Sequence, residues 1–160
     1  MKILVTGGAG YIGSHTLIEL IKEGHDVLVF DNFSNSSKIA LDRVEEITGQ
    51  KIPYVEGDLL DPKALHQVFE DHTDIDGVIH FAALKAVGES VAKPLKYYEN
   101  NITGTLNLCQ AMSDHDVKNI IFSSSATVYG DPHTVPITEE FPLSTTNPYG
   151  STKLFVEQIL

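Results

Sequence analysis

The sequence lacks a second cysteine and any long apolar run. With Cys109 alone, the 160-residue chain has no intrachain disulfide framework, which suits a reducing compartment. Cys109 lies in an apolar, helix-like stretch and is expected to be a small core residue. No apolar stretch approaches the length of a membrane span, and the N-terminus has no signal-peptide layout. We therefore expect a cytoplasmic protein without a membrane partner.

Basic residues are scarce relative to acidic ones. The chain has 11 Lys+Arg against 22 Asp+Glu, a formal net charge of -11. An outward field of this sign repels nucleic acid and anionic membranes, although backbone amides can still hold a nucleotide locally. Nucleic acid is therefore not an expected partner.

Two classes of chemistry lack the residues that they need. His66 and His72 are six positions apart, and no cysteine or carboxylate completes a ligand set, so no metal site is expected. His80 is expected to be a core or hydrogen-bonded histidine. A Gly-x-Ser-x-Gly motif is missing, which leaves hydrolase chemistry without support.

A glycine-rich loop is present directly after the first apolar run. Residues 2–6 predict a strand, the glycines that follow permit a tight turn, and helix-like spacing comes next. Free N–H groups at the start of such a helix suit a pyrophosphate. Two glycine registers fit, Gly8-x-Gly10-x-x-Gly13 and the wider Gly7-x-x-Gly10-x-x-Gly13, and the loop alone does not choose between them.

Apolar runs alternate with helix-like stretches along the rest of the chain. This alternation predicts an α/β fold with a doubly wound parallel sheet of five strands, and nothing marks a boundary within residues 1–160. In the predicted helix 95–112, the apolar positions Tyr98, Ile102, Leu106 and Cys109 share one face. Further strands are predicted at 26–30, 52–56, 78–81 and 119–124, helices at 12–21, 39–47, from 62 and at 148–160, a partly helical loop at 85–94, and a proline-containing loop at 131–147.

Residues that directly follow the strands are the candidates for ligand binding, because ligands of such sheets lie beyond the carboxyl ends of the strands. Asp31 follows the second strand, where a carboxylate can bind an adenosine ribose and would repel a 2′-phosphate, which favours NAD over NADP. A turn aspartate is the alternative for Asp31, and spacing leaves the same two roles open for Asp58. Ala82 and Ala83 are small enough for a flat ligand or for ordinary core packing.

Tyr149 and Lys153 are four residues apart in the last predicted helix, so their side chains share one face. A phenol is a poor base at neutral pH because its pKa is about 10. A nearby lysine charge, an oxidised nicotinamide ring and the first helical turn would each lower that pKa. Tyr149 could then take a proton from a substrate hydroxyl while hydride leaves the same carbon, with hydroxyls of residues 123–125 bonding the same oxygen. The alternative is an exposed aromatic beside a solvated lysine.

The glycine loop, Asp31, Asp58 and the Tyr149/Lys153 pair together resemble the extended short-chain dehydrogenase/reductase superfamily, which selects the wider glycine register. Residues 80–90, 97–101 and 122–130 more closely resemble the UDP-glucose 4-epimerase family, and this likeness spans essentially the whole chain. The resemblance implies a Rossmann-like domain that retains NAD. The implied reaction oxidises C4 of a UDP-hexose, lets the 4-keto sugar rotate and returns hydride to its other face.

The resemblance also implies the residues of the site. Ser125, with Ser124 as the alternative, Tyr149 as proton acceptor and Lys153 as its partner form the catalytic set, and Ser125 and Tyr149 also bind the UDP-sugar. The implied NAD contacts are Gly7, Gly10, Tyr11, Ile12, Gly13, Asp31, Asn32, Phe33, Ser34, Asn35, Ser36, Asp58, Leu59, Phe81, Ala82, Ala83, Leu84, Lys85, Asn100, Tyr149 and Lys153.

Other activities of related enzymes fit less well. Related 4,6-dehydratases carry an Asp-Glu pair where this chain has Ala126-Thr127, and decarboxylating relatives tend to have glutamate at position 127. Family members continue into a C-terminal substrate domain, so the 160 residues alone are expected not to epimerise UDP-sugars, and a module that holds NAD without turnover is the alternative. The helices at 95–112 and 148–160 could pair with a second subunit or pack against the chain's own sheet.

Overall fold

Five parallel strands form one sheet in the computed structural model, which describes every residue from Met1 to Leu160. Their order is β3-β2-β1-β4-β5, so that β1 lies between β2 and β4. The predicted doubly wound parallel sheet is therefore confirmed. The strands are β1 (Lys2–Thr6), β2 (Asp26–Asp31), β3 (Tyr54–Glu56), β4 (Ile75–His80) and β5 (Ile120–Phe122).

The chain comprises two compact units, Met1–Ala82 with Leu106–Ser123, and Ala83–Thr105 with Ser124–Leu160. The first unit contains the sheet. That residues 1–160 together form one cofactor-binding domain stays a prediction. The helices of the chain are α1 (Tyr11–Lys22), α2 (Lys38–Thr48), α3 (Pro62–Asp71), α4 (Val87–Ala92), α5 (Pro94–Tyr98), α6 (Gly104–Asp114) and α7 (Pro148–Ile159), with a π-helical turn at Glu99–Thr103 and a 3-10 turn at Ala126–Tyr129.

The core of the first unit consists of two apolar clusters. Leu4 packs in one cluster with α3 and α6 residues, whereas its neighbour Val5 packs in the other with α1 and α2 residues. Successive side chains of a strand point to opposite faces of the sheet, so an unbroken apolar run is buried on both. His80, at the end of β4, is also buried, with its Nδ1 2.6 Å from Thr6 Oγ1, which confirms the expected hydrogen-bonded histidine.

Most of the predicted helix ends are confirmed. Asp61 caps α3 by accepting from the amides of its first turn, and Pro62 takes the first helical position. Gly24 and Gly49, with φ of +80° and +70°, follow α1 and α2. None of the helices has the length and hydropathy that crossing a bilayer requires.

The boundaries of four strands differ from the prediction, and β2 ends one residue later than predicted, at Asp31. β3 begins at Tyr54 because Pro53 has no N–H for a strand ladder. β4 begins three residues early, at Ile75, since Asp76 and Gly77 interrupt the apolar run while pairing continues. β5 covers only Ile120–Phe122 of the predicted 119–124.

The predicted helix at 95–112 is helical throughout, but the single apolar face predicted for it is wrong. The predicted partly helical loop at 85–94 contains α4. The π turn at Glu99–Thr103 lies within the long helix, and its extra residue shifts the buried face. Leu106 is exposed and Cys109 is only half-buried, while the polar side chains of Asn101 and Thr105 are buried. The spacing of the apolar residues therefore gave the wrong buried face, because polar residues occupy part of that face.

Candidate active site

The glycine loop between β1 and α1 is packed tightly at the level of the backbone. Gly7 has φ of +69°, and a Cβ there would lie 2.6 Å from the backbone nitrogen of Ala82. A Cβ at Gly13 would lie 2.4 Å from the carbonyl oxygen of Gly7, whereas at Gly10 the same oxygen would be 3.2 Å away. Glycine is therefore required at positions 7 and 13, but position 13 belongs to both registers, and a Cβ at Gly8 would also be crowded, 2.8 Å from Val29 Cγ2. The positive φ and the contact with backbone at Gly7 favour the wider register.

Helix α1 has no side-chain cap at its N-terminus. Its N-cap is Gly10, which has no side chain to accept from the first-turn amides, and the first turn has no acidic residue. Tyr11 is 75% exposed and Ile12 is also exposed. An uncapped N-terminus leaves amides available for an anion, so this loop fits a pyrophosphate.

Asp31 is buried at the end of β2, and its carboxylate joins two loops. Its Oδ2 accepts from the amide of Ala9 at 3.0 Å, and its Oδ1 accepts from the amide of Phe33 and the hydroxyl of Ser36, both at 2.9 Å. Phe33 has a left-handed φ of +53°, which is uncommon for a bulky residue. A carboxylate can accept about four hydrogen bonds, so the turn role and ribose binding are compatible.

The loop after β2 is also joined to Asp58, which follows β3. Asn32 Nδ2 donates to Asp58 Oδ2 at 2.9 Å, and Asn32 Oδ1 accepts from the amide of Ser34 at 3.0 Å. Leu59 is buried in the core, and its carbonyl accepts from Asn107 Nδ2 at 2.9 Å. The structure thus brings together the residues predicted after β2 and β3, with Ser34 and Asn35 at the surface.

The second unit is organised around Asn101, a residue that sequence reasoning missed. Its side-chain amide accepts from the N–H of Leu84 and donates to the carbonyl of Leu84, both at 2.9 Å, and it donates to Thr152 Oγ1 at 3.0 Å. The predicted ligand Asn100 is half-buried and donates to Asn101 Oδ1 at 2.9 Å. Two adjacent asparagines within a helical stretch were the available signal. Phe81, Ala82 and Ala83 are half-buried, and Lys85 is exposed.

Tyr149 and Lys153 lie one turn apart on α7, which begins at Pro148. Tyr149 is half-buried in the first turn, and Lys153 is only 4% exposed. Burial lowers the pKa of Lys153 to about 8, because an ammonium group loses hydration when it is enclosed. The alternative of an exposed tyrosine beside a solvated lysine is therefore wrong.

Ser125 and Ser124 have different hydrogen-bond partners. Ser125 caps the 3-10 turn, where its Oγ accepts from the amide of Thr127 at 3.3 Å and from the hydroxyl of Thr127 at 2.9 Å. The hydroxyl proton of Ser125 can still be donated to another acceptor. Ser124 Oγ donates to Glu157 Oε1 on α7.

Replacing Lys153 by methionine should change how the free energy of unfolding depends on pH. The native pKa of about 8 lies below the ordinary 10.5, so the unfolded chain binds the proton more tightly. The cost of burying the ammonium is complete below pH 8 and disappears as the pH rises to 10.5. Relative to the unchanged chain, the free energy of unfolding of Lys153→Met should therefore be about 3 kcal/mol higher at pH 7 than it is at pH 10.5.

Urea unfolding of both proteins at pH 7, 8, 9 and 10 measures this difference. Lys63→Met removes an exposed lysine and serves as the control. A difference between Lys153→Met and the unchanged chain that stays constant over this pH range would contradict a buried ammonium with a lowered pKa.

Residues 3–160 match the model of the NAD dependent epimerase/dehydratase family. Among curated relatives, the UDP-glucose 4-epimerases of Bacillus subtilis and Dictyostelium discoideum are each 64% identical, over 160 and 159 residues. These matches cover 100% and 99% of the chain but 47% and 46% of the relatives. The chain therefore spans about half the length of the curated relatives it matches.

Solved structures of relatives have the same fold. The UDP-glucose 4-epimerase of Bifidobacterium longum, in complex with NAD+ and UDP, gives a TM-score of 0.96 at 58% identity, over 99% of this chain and 48% of that one. The Stenotrophomonas maltophila UDP-glucose-4-epimerase, with bound NAD and formylated UDP-arabinopyranose, gives a TM-score of 0.95 at 46% identity, over 99% of this chain and 47% of that one. The matches confirm the resemblance predicted from the sequence.

Proposed function

Because the chain belongs to the NAD dependent epimerase/dehydratase family, we propose that it supplies the cofactor-binding and proton-transfer residues for epimerisation at C4 of a UDP-hexose. The observation that carries the proposal is the pair on α7, a half-buried Tyr149 one turn before a buried Lys153. The relatives named UDP-glucose 4-epimerase support UDP-galactose and UDP-glucose as the substrates.

The pyrophosphate and the adenosine ribose of NAD would be held by residues of the first unit. The backbone of Gly7, Gly10 and Gly13 and the uncapped N-terminus of α1 fit its pyrophosphate. Asp31 is the candidate for the adenosine ribose hydroxyls, and its negative charge disfavours the 2′-phosphate of NADP. When bound, NAD supplies the acceptor and donor of hydride for C4.

The second unit would supply the proton chemistry. We assign Tyr149 as the group that takes the proton of the sugar 4-hydroxyl and later returns it. With a pKa of about 8, Lys153 is mostly protonated at pH 7 and so places a positive charge one helical turn after Tyr149. Ser125 retains a hydroxyl proton that it can donate to the same sugar oxygen.

A module that binds NAD without turnover is the second candidate, because the chain spans only 47% of its Bacillus subtilis relative. A homodimer stays a proposal, supported in the second unit by the 80% exposed side chain of Leu95 on α5 and the exposed Phe155 on α7. Location in the cytoplasm and the lack of a nucleic-acid partner stay predictions.

The proposal predicts binding of NAD by these 160 residues and turnover only in a longer protein. Calorimetry should show NAD binding at least about tenfold more tightly than NADP, since one unfavourable charge contact of about 1.4 kcal/mol gives that ratio. A protein of the relatives' full length that carries these residues should convert UDP-galactose into UDP-glucose, whereas the 160-residue chain should not. Conversion by the 160 residues alone, or lack of conversion by the longer protein, would contradict the proposal.

A further inference from the structure

Ser90 on α4 makes two hydrogen bonds while completely buried in the second unit. Its Oγ donates to the carbonyl of Val87 at 2.7 Å and accepts from the backbone N–H of Tyr149 at 3.1 Å. The second bond joins segments that are 59 positions apart in sequence. A side chain of α4 therefore holds the backbone of the residue that we assign as the proton acceptor.

The backbone N–H of Tyr149 lies in the first turn of α7, and the N-cap residue Asn147 does not accept a hydrogen bond from it. Pro148 has no N–H. The side chain of Asn147 accepts from the amide of Gly150 at 2.8 Å, and the carbonyl of Asn147 accepts from the amide of Ser151 at 3.0 Å. Ser90 supplies the partner that the amide of Tyr149 needs, because an unpaired buried N–H is costly.

The N-terminal turn of α4 is itself held in place by Tyr97 and Glu89. Tyr97 is completely buried, and its hydroxyl accepts from the amide of Ala86 at 3.1 Å and donates to Glu89 Oε2 at 3.0 Å. Lys96 Nζ lies 3.0 Å from Glu89 Oε1, and Lys93 Nζ lies 3.5 Å from it. The bonds from Lys96 and Tyr97 hold the pKa of Glu89 below its usual value. These contacts hold the turn that carries Ser90, the residue after Glu89.

We propose that Ser90 is a positioning residue for Tyr149, which fixes the first turn of α7 through the backbone amide and so sets the phenol for proton transfer. The inference rests on the proposed function, in which Tyr149 exchanges a proton with the sugar hydroxyl. Ser90 itself touches neither the sugar nor the proton.

Ser90→Ala removes the acceptor with the smallest change in volume, and two measurements separate its effects. Hydrogen exchange by NMR should show the Tyr149 amide losing about tenfold protection while the Gly150 amide is unchanged, as expected for one neutral hydrogen bond. In a protein of the relatives' full length that carries these residues, kcat should fall by about tenfold with the KM for UDP-galactose unchanged, because the interaction acts on the transition state rather than on substrate binding.

Ser151→Ala is the matched control, because the hydroxyl of Ser151 also bonds near the start of α7, but to Thr145 and Asn147 rather than to Tyr149. Unchanged protection of the Tyr149 amide in Ser90→Ala, or reduced protection with unchanged kcat, would overturn the proposal. Equal losses in Ser151→Ala would overturn it too, since they would indicate general loosening of the turn. Full turnover by Tyr149→Phe would instead refute the proposed function, and the exchange experiment would still decide whether Ser90 holds the amide.

Discussion

Replacing Tyr149 by phenylalanine is expected to lower kcat by about a thousandfold in a protein of the relatives' full length, a loss typical of a missing general base. Phenylalanine fills the same space on α7 but has no hydroxyl to receive the proton of the sugar. NAD should stay bound, because the glycine loop and Asp31 belong to the first unit and are unchanged. Initial rates with UDP-galactose and the NAD content of the purified protein measure the two effects.

Tyr98→Phe is the matched control for the loss of a phenol hydroxyl. Tyr98 is half-buried, and its ring packs 6.4 Å from that of Phe155, a contact that phenylalanine can keep. The control should retain kcat. If Tyr149→Phe lost NAD on purification, the phenol would serve cofactor binding, and if it kept full turnover, the role of base would belong to another group.

Gly13→Ala is expected to destabilise the chain by about 3 kcal/mol and to abolish NAD binding, because overpacked sites typically cost 1–3 kcal/mol or more. The added Cβ would lie 2.4 Å from the carbonyl oxygen of Gly7 and 2.7 Å from the Cα of Gly8. Both are backbone atoms of the loop, so relief requires the loop itself to move. Urea unfolding and calorimetry with NAD measure the two losses.

Two other glycines separate the effect of crowding from that of adding a methyl group. Gly88 on α4 has open space around it, so Gly88→Ala should change the free energy of unfolding by less than about 1 kcal/mol. Gly24 also has open space but has φ of +80°, so Gly24→Ala should cost about 1–2 kcal/mol from the left-handed backbone alone. A loss in Gly13→Ala no larger than that in Gly88→Ala would contradict the crowding seen in the loop.

The sheet and most helix ends could be predicted because their causes are local. Unbroken apolar runs such as β2 mark strands buried on both faces, and Asp61-Pro62 caps a helix whatever surrounds it. The π turn could not be predicted in this way. It occurs where the buried amide of Asn101 bonds Leu84 and Thr152, partners that are 17 and 51 positions away.

The residues of the candidate site also divide into those that a local sequence pattern predicts and those that depend on packing. Gly7, Gly13 and Asp31 belong to a motif with fixed spacing, and the pair Tyr149 and Lys153 follows from the helical period. The burial that lowers the pKa of Lys153 depends on packing and has no sequence pattern. Ser90 was missed because nothing near it in sequence indicates that its hydroxyl accepts the amide of Tyr149.

The three hydrogen bonds of the Asp31 carboxylate have a kinetic consequence. They connect Ala9 in the glycine loop with Phe33 and Ser36 in the loop after β2, so both loops are already ordered by the folded chain. A preorganised cradle loses little conformational entropy when its ligand arrives, and the gain in affinity is expressed mainly as slow dissociation. A dinucleotide bound there would have a long residence time, as a prosthetic group that serves many successive turnovers does.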